Sequence, residues 1–275
     1  MIDHMRLLQE IGEAAREASE AILHVVRQGF DVETKSDASP VTAADRAAEL
    51  IILASLARAA PGVPVVAEEE VAAGRIPAHG TTYFLVDPLD GTKEFVRGGD
   101  DYTVNIGLIE DDVPTLGVVC APASGRLYAG AKDAGAWVED RGGKRQINTR
   151  ARCDSTTAVA SKSHLNQATV DYLQDAVGTC SFVSVGSSLK FCILAGGDAD
   201  IYPRASPTSE WDTAAGHAVL LAAGGLVDGP DGNPLRYGKH AFLNPGFVAT
   251  SGWKPPRLDR FLEPFAGGGD LPQGV

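Results

Sequence analysis

No stretch of this 275-residue chain approaches the roughly 18 consecutive apolar residues of a membrane span, so no integral membrane segment is expected. Met1-Ile2-Asp3-His4-Met5-Arg6 opens straight into an amphipathic pattern and lacks the apolar run of a signal peptide, which points to a cytoplasmic protein. Cysteine is sparse. Cys120, Cys153, Cys180 and Cys192 form no CxxC pair and no disulfide framework, and they read as reduced thiols. Positive charge is short as well: 24 Lys and Arg stand against 36 acidic residues, a formal net charge of −12. Such a surface repels the phosphates of a nucleic-acid polymer, although a small phosphate-bearing molecule stays admissible, because cations in a pocket invert the local field. Internal repeats and long low-complexity stretches are also missing. The 44% hydrophobic content is enough for a sizeable core, in one large domain or two fused lobes.

What is present follows two periodicities. Leu7, Leu8, Ile11, Ala15, Ala18, Ile22, Val25 and Val26 recur at helical spacing and predict a helix over 5–28, stopped by Gly29. A second helix should begin near Thr42, where Thr42-Ala43-Ala44-Asp45 has capping-box form with Asp in the usual Glu position. Its predicted apolar face is Ala48, Ile51, Ile52 and 54–56, and Pro61-Gly62 ends it. Strands are then predicted at 63–67, 83–86, 102–109, 115–120, 126–131 and 136–138. Two helices followed by a run of strands favour an α+β lobe over 1–152. Over 153–275 the elements alternate, with strands at 158–161, 182–185, 199–202 and 226–227 and helices at 167–177, 188–195 and 212–223. That alternation predicts an α/β second lobe, with a frayed tail from Gly267 onward.

The sharpest chemical feature is Phe84-Leu85-Val86-Asp87-Pro88-Leu89-Asp90-Gly91-Thr92. A buried strand delivers two carboxylates three residues apart onto a turn, followed by a helix-start composition whose N–H groups suit an anion. Two carboxylates and a carbonyl make an all-oxygen set of the kind Mg²⁺ takes, although Asp-Pro-x-Asp-Gly is also simply a good turn. Three other segments bear on that choice. Val65-Val66-Ala67-Glu68-Glu69-Glu70 is a second short apolar run ending in carboxylates, which by itself reads as a solvated loop. Ser209-Glu210-Trp211-Asp212 puts Asp212 at the start of a strongly amphipathic helix, where an N-cap is the plainer role. Lys35-x-Asp37-x-Ser39-Pro40-Val41-Thr42-x-x-Asp45 serves equally as a loop and cap.

Taken together, from about Lys35 to Val227, these segments resemble the inositol-monophosphatase-like superfamily of metal-dependent, lithium-sensitive phosphatases. One signature is 84–97 around Asp-Pro-Leu-Asp-Gly-Thr; the other is Trp211-Asp212-Thr213-Ala214-Ala215-Gly216. The resemblance implies a layered αβαβα sandwich like inositol monophosphatase and fructose-1,6-bisphosphatase, with an antiparallel-sheet N-terminal lobe and an α/β C-terminal lobe. Within the superfamily the likeness is to the bacterial 3′(2′),5′-bisphosphate nucleotidases of sulfur assimilation. It is carried by 35–45, Gly91-Thr92-Lys93-Glu94-Phe95, 102–109, Ser161-Lys162-Ser163-His164 and Gly186-Ser187-Ser188-Leu189-Lys190-Phe191. Inositol phosphatases typically carry Thr-Asn-Phe where this chain has Lys93-Glu94-Phe95, so an inositol or histidinol phosphatase is the alternative rather than the first reading.

Carried over by position, Glu68, Asp87, the Leu89 carbonyl, Asp90 and Asp212 would hold two or three Mg²⁺ ions. A metal-bound water would be the nucleophile, with Glu68 and Thr92 orienting it or taking its proton and Asp45 behind Thr92. Glu68, Leu89, Asp90, Gly91, Thr92 and Asp212 would surround the reacting phosphate of a small-molecule substrate, adenosine 3′,5′-bisphosphate. Ser187, Ser188 and Lys190 would receive its 5′-phosphate, with Tyr202 and Arg204 within reach. His164 and His217 are expected to be a loop residue and a structural one. The resemblance leaves room for a homodimer and for peripheral attachment to the inner membrane.

Overall fold

A computed structural model describes residues 3–34, 40–152, 155–161 and 165–262. The first helix, α1 (His4–Gln28), buries Leu7, Leu8, Ile11, Ala15, Ala18 and Ile22 of the predicted stripe, whereas Val25 is half-buried and Val26 exposed in the last turn. It is capped by Asp3 and closed by Gly29 at φ 78°. A short hairpin of β1 (Val32–Thr34) and β2 (Pro40–Thr42) leads into α2 (Ala43–Ala59). The predicted capping box forms there: Asp45 Oδ2 accepts the Thr42 N–H at 2.8 Å and Thr42 Oγ1 accepts the Ala44 N–H at 3.1 Å. The apolar face of α2 is rotated from the expectation. Ala54 is exposed, because Asp45 and Glu49 turn inward beside Ala48, Ile52 and Leu56.

The next elements are β3 (Val65–Ala67), α3 (Glu68–Ala72), β4 (Thr82–Asp90), α4 (Thr92–Val96), β5 (Thr103–Glu110), β6 (Val113–Ala121), β7 (Arg126–Ala131), β8 (Gly135–Asp140) and β9 (Gly143–Ile147). Their strands form one seven-stranded sheet in chain order, parallel only between β3 and β4. Two sequence expectations are corrected here. The acidic run at Glu68 opens a helix instead of a loop, and β9 was not foreseen because its exposed Lys144, Arg145 and Gln146 break apolar alternation.

After residue 155 come β10 (Thr157–Ser161), α5 (Gln167–Val177), β11 (Ser181–Val185), α6 (Leu189–Ala195), β12 (Ile201–Arg204), β13 (Thr208–Ser209), α7 (Ala214–Ala222), β14 (Leu226–Asp228), β15 (Leu243–Asn244) and β16 (Phe247–Thr250). A mixed five-stranded sheet runs β11-β10-β12-β16-β14, and β13 pairs with β15 apart from it. α1 and α2 cover one face of the large sheet, α6 and α7 fill the space between the two sheets, and α5 packs on the outer face of the small one. This is the expected αβαβα layering.

α7 is not amphipathic. Residues 214–220 are all buried, since the helix lies between two sheets and has no solvent face. Its seat is a row of glycines: Gly107 pairs across the sheet with Gly117, and Gly117 with Gly130. A Cβ on Gly117 would stand 2.3 Å from the Ala215 carbonyl, and one on Gly130 would stand 2.7 Å from Val219 Cα. The missing side chains make a trough into which the helix backbone sinks. Asp212 stands two residues ahead of α7, directly before its N-cap Thr213.

Candidate active site

The Asp-Pro-Leu-Asp run stays in β4 instead of ending it at Val86. Pro88 has no N–H to give the ladder, and the pairing slips there: Asp87 lies opposite Asn105 but Asp90 lies opposite Thr103. This bulge turns Asp87 inward, where its Oδ1 accepts the Leu89 N–H at 3.0 Å. The chain then reverses at Gly91, φ 93°, where a Cβ would stand 2.8 Å from the Asp101 carbonyl and 3.5 Å from Ser187 Cβ. Thr92 opens α4. Its hydroxyl lies 3.0 Å from the Leu89 carbonyl and 3.3 Å from Asp45 Oδ1, so the capping carboxylate of α2 also reaches the turn.

Other elements close a cleft over this turn. Glu68, Asp90, Gly91 and Thr92 line it together with Ser187, Ser188 and Lys190 from the loop and start of α6, and with Arg204 and Asp212. Asp212 does not act as the helix cap. The N-cap of α7 is Thr213, while Asp212 Oδ2 folds back to accept the Ser209 N–H at 3.1 Å and the Thr208 hydroxyl. Asp87, Leu89 and Asp45 are not among the residues lining the cleft; Asp87 faces Glu68, Asp90 and Asp212, and the Leu89 carbonyl and Asp45 Oδ1 lie within reach of the Thr92 hydroxyl.

The electrostatics of this cluster are unfavourable without cations. Burial raises the Asp87 carboxyl well above its ordinary range, and the charges of Glu68, Asp90 and Asp212 raise it further. Asp90 is pushed up to about 7 by burial and by Asp212, against the opposing pull of Lys190, the Ser188 N–H and Arg204. Asp212 is raised by burial while Thr208, Arg204 and the Ser209 N–H draw it down. Among the described residues no three acidic or imidazole side chains converge closely enough to form a set around one ion. The donor chemistry nevertheless fits hard divalent cations, because the buried Asp87, the half-buried Glu68, Asp90 and Asp212 and a carbonyl supply only oxygen and more negative charge than their neighbours offset.

The model of the inositol monophosphatase family matches residues 5–259. The chain belongs to that family. It is 46% identical over 245 residues to the 3′(2′),5′-bisphosphate nucleotidase CysQ of Escherichia coli (strain K12), a match covering 88% of this chain and 98% of that one. The crystal structure of CysQ from Bacteroides thetaiotaomicron matches with a TM-score of 0.75 at 36% identity, covering 88% of this chain and 96% of that one. An inositol monophosphatase from Anabaena (Nostoc) sp. PCC 7120 matches with a TM-score of 0.72 at 27% identity, covering 89% and 90%. Metal dependence is typical of the inositol monophosphatase family.

In this member of the inositol monophosphatase family, two residues expected at the 5′-phosphate have unexpected settings. Lys190 is not an exposed helix lysine. It is 3% exposed, donates from Nζ to the Ser187 carbonyl and lies 5.3 Å from the Tyr202 ring centroid. Ser188 has little left for a ligand: its hydroxyl donates to Asn105 Oδ1 at 2.7 Å and accepts from Thr103 at 2.9 Å, and its N–H faces Asp90. Asn105 Nδ2 in turn donates to Asp90 Oδ2 at 3.4 Å. Thr103 and Asn105 thus form a polar relay that sequence reasoning missed. Polar residues two apart in a strand otherwise buried on both faces were the available signal. His217 is buried, with Nδ1 3.0 Å from the Tyr237 hydroxyl. Residues 35–39, Cys153, Lys162, Ser163, His164 and the tail from Gly267 lie outside the described residues.

Proposed function

We propose that this chain is a Mg²⁺-dependent 3′(2′),5′-bisphosphate nucleotidase that converts adenosine 3′,5′-bisphosphate to AMP and inorganic phosphate. The observation that carries the reading is a single cleft holding both a carboxylate cluster suited to cations and a pair of cations, Lys190 and Arg204, suited to an anion. A substrate with two phosphates uses both: one reacts beside the carboxylates and the other is held by charge. The names of the 46%-identical relatives, 3′(2′),5′-bisphosphate nucleotidases, support a nucleotide with two phosphates.

Glu68, Asp87, Asp90 and Asp212, with the Leu89 carbonyl, would hold two or three Mg²⁺ ions. Bound Mg²⁺ supplies polarisation of the phosphate and a lowered water pKa. The protein's own part begins at Thr92. Its hydroxyl proton is directed to Asp45 Oδ1 or the Leu89 carbonyl, which leaves oxygen lone pairs to orient the attacking water. Glu68 takes the proton that water loses as its oxygen bonds phosphorus and the P–O bond to the ribose 3′-oxygen breaks, and the departing 3′-oxygen takes a proton from solvent water. The glycine at position 91 lets the reacting phosphate approach the backbone, and Ser187 and Lys190 fix the 5′-phosphate so that the other one is aligned. Ser188 serves through Asp90. The reading includes a cytoplasmic setting, in keeping with the free thiols of Cys120, Cys180 and Cys192.

Phosphate release by the purified chain with added Mg²⁺ tests it, on adenosine 3′,5′-bisphosphate, inositol 1-phosphate and histidinol phosphate. The bisphosphate should give the highest kcat/KM. A preference for either monophosphate would replace the nucleotidase reading with the corresponding phosphatase.

A further inference from the structure

Helix α3 is a poor helix by its own resources. It has five residues, none of them fully buried, and its N-cap is Ala67, which has no side-chain acceptor for the orphan N–H groups of the first turn. Three consecutive glutamates open it. Yet its first residue is Glu68, which lines the cleft and faces Asp87.

The missing acceptor comes from another helix. Glu49 lies one turn beyond Asp45 on the inward face of α2 and is 5% exposed. Its Oε2 accepts the Glu69 N–H at 3.0 Å, and the same carboxylate faces the Glu70 N–H. The far side of α3 is held separately, by a two-pronged Glu70–Arg75 pair with both distances 2.7 Å. Glu49 has no place among the cleft-lining residues. Burying it without a purpose is costly, since desolvation and the nearby Glu69 charge both disfavour its ionised form.

We propose that Glu49 is a positioning residue that caps α3 in trans and thereby fixes Glu68 for cation binding. One helix then orients two parts of the site: Asp45 holds Thr92, and four residues later Glu49 holds the backbone that carries Glu68. What the position requires is an acceptor oxygen for the first-turn N–H groups. The inference rests on the proposed metal-dependent reading of the cleft.

The test is direct titration of Mn²⁺, as a spectroscopic substitute for Mg²⁺, into wild type, Glu49→Ala and Glu49→Gln, followed by electron paramagnetic resonance. Melting temperature and kcat/KM against Mg²⁺ concentration are recorded in parallel. Loss of a group that orients a ligand typically lowers metal affinity about 10–100-fold. Glu49→Ala should therefore weaken Mn²⁺ binding at least about tenfold and raise the Mg²⁺ requirement to match. Glu49→Gln keeps an acceptor oxygen and should stay within about threefold of wild type. A lower melting temperature in Glu49→Ala with unchanged Mn²⁺ affinity would show a purely structural role and overturn the proposal. Equal losses in both variants would also overturn it, because charge rather than the cap would then be responsible. If wild type itself bound no Mn²⁺, the metal-dependent reading and this inference would fall together; the two variant outcomes sink only the inference.

Discussion

Replacing Lys190 separates the two halves of the proposed substrate site. Its ammonium is buried between the Ser187 carbonyl and the Tyr202 ring, a setting where water competes little for an incoming phosphate. A charge-assisted contact of this type contributes roughly 1.5–3 kcal/mol, so removing it should lower kcat/KM for adenosine 3′,5′-bisphosphate by about 10–150-fold. A second effect accompanies the first. Lys190 helps keep Asp90 and Asp212 ionised, and its loss weakens the carboxylate site for every substrate. The ratio between two substrates cancels that shared term. Adenosine 3′-monophosphate lacks the 5′-phosphate, so its own loss measures the shared part alone. The assay is phosphate release on both compounds by Lys190→Met, which keeps the side-chain volume, and by Lys190→Ala. The bisphosphate should lose at least about tenfold more than the monophosphate, partly in kcat, since remote binding energy aligns the reacting group. An equal loss on both would place Lys190 with the carboxylates and refute its role at the 5′-phosphate.

Asp90→Asn and Asp212→Asn should each lower kcat by several orders of magnitude while raising the melting temperature in chelator, because each removes charge from a repulsive buried cluster. Near-wild-type kcat at saturating Mg²⁺ would remove that residue from the ligand set. Chelation should abolish turnover, and excess Ca²⁺ or Li⁺ should inhibit, since neither reproduces a small divalent octahedral ion; turnover with metal verified absent would contradict this. His217 is held down to about 3 by burial and by Lys239 and Arg236. As pH falls below about 6.5 the unfolded chain takes up a proton that the folded chain refuses, so stability is lost progressively towards pH 3. His217→Gln should show a shallower fall in melting temperature between pH 7 and 4, and parallel curves would show that another group controls acid unfolding.

Much of this was legible in the sequence because local rules and fold agreed. The α1 stripe, the Thr42–Asp45 box and the reversal at Gly91 each announce themselves within a few residues, although Asp-Pro-Leu-Asp itself proved to be a bulged stretch of β4 and not a turn. Where local reading fell short, the deciding contact lay outside the element being read. The plainer cap role of Asp212 gave way because its Oδ2 accepts from Thr208 and Ser209, on the strand ahead of it, while Thr213 caps α7. α7 looked amphipathic because nothing local reveals that a second sheet covers its outer face. Ser188 looked free for a ligand, but the side chains that occupy it come from β5. Glu49 was lost inside an apolar stripe, where only the backbone of α3 explains it.

The glycine row beneath α7 also bears on the order in which the molecule is made. Gly107, Gly117 and Gly130 leave a synthesising ribosome long before the helix that fills their trough. Until that helix docks, Asp212 has no fixed place beside Asp90, and the carboxylates are not yet gathered. The loop closure required is long, which makes this a slow contact. A cation that binds only the gathered site therefore rewards the completed fold and not its precursors, stabilising it by mass action. An interrupted chain ending before α7 would carry the Asp87–Asp90 segment and an open trough, with nothing to fix Asp212 beside Asp90.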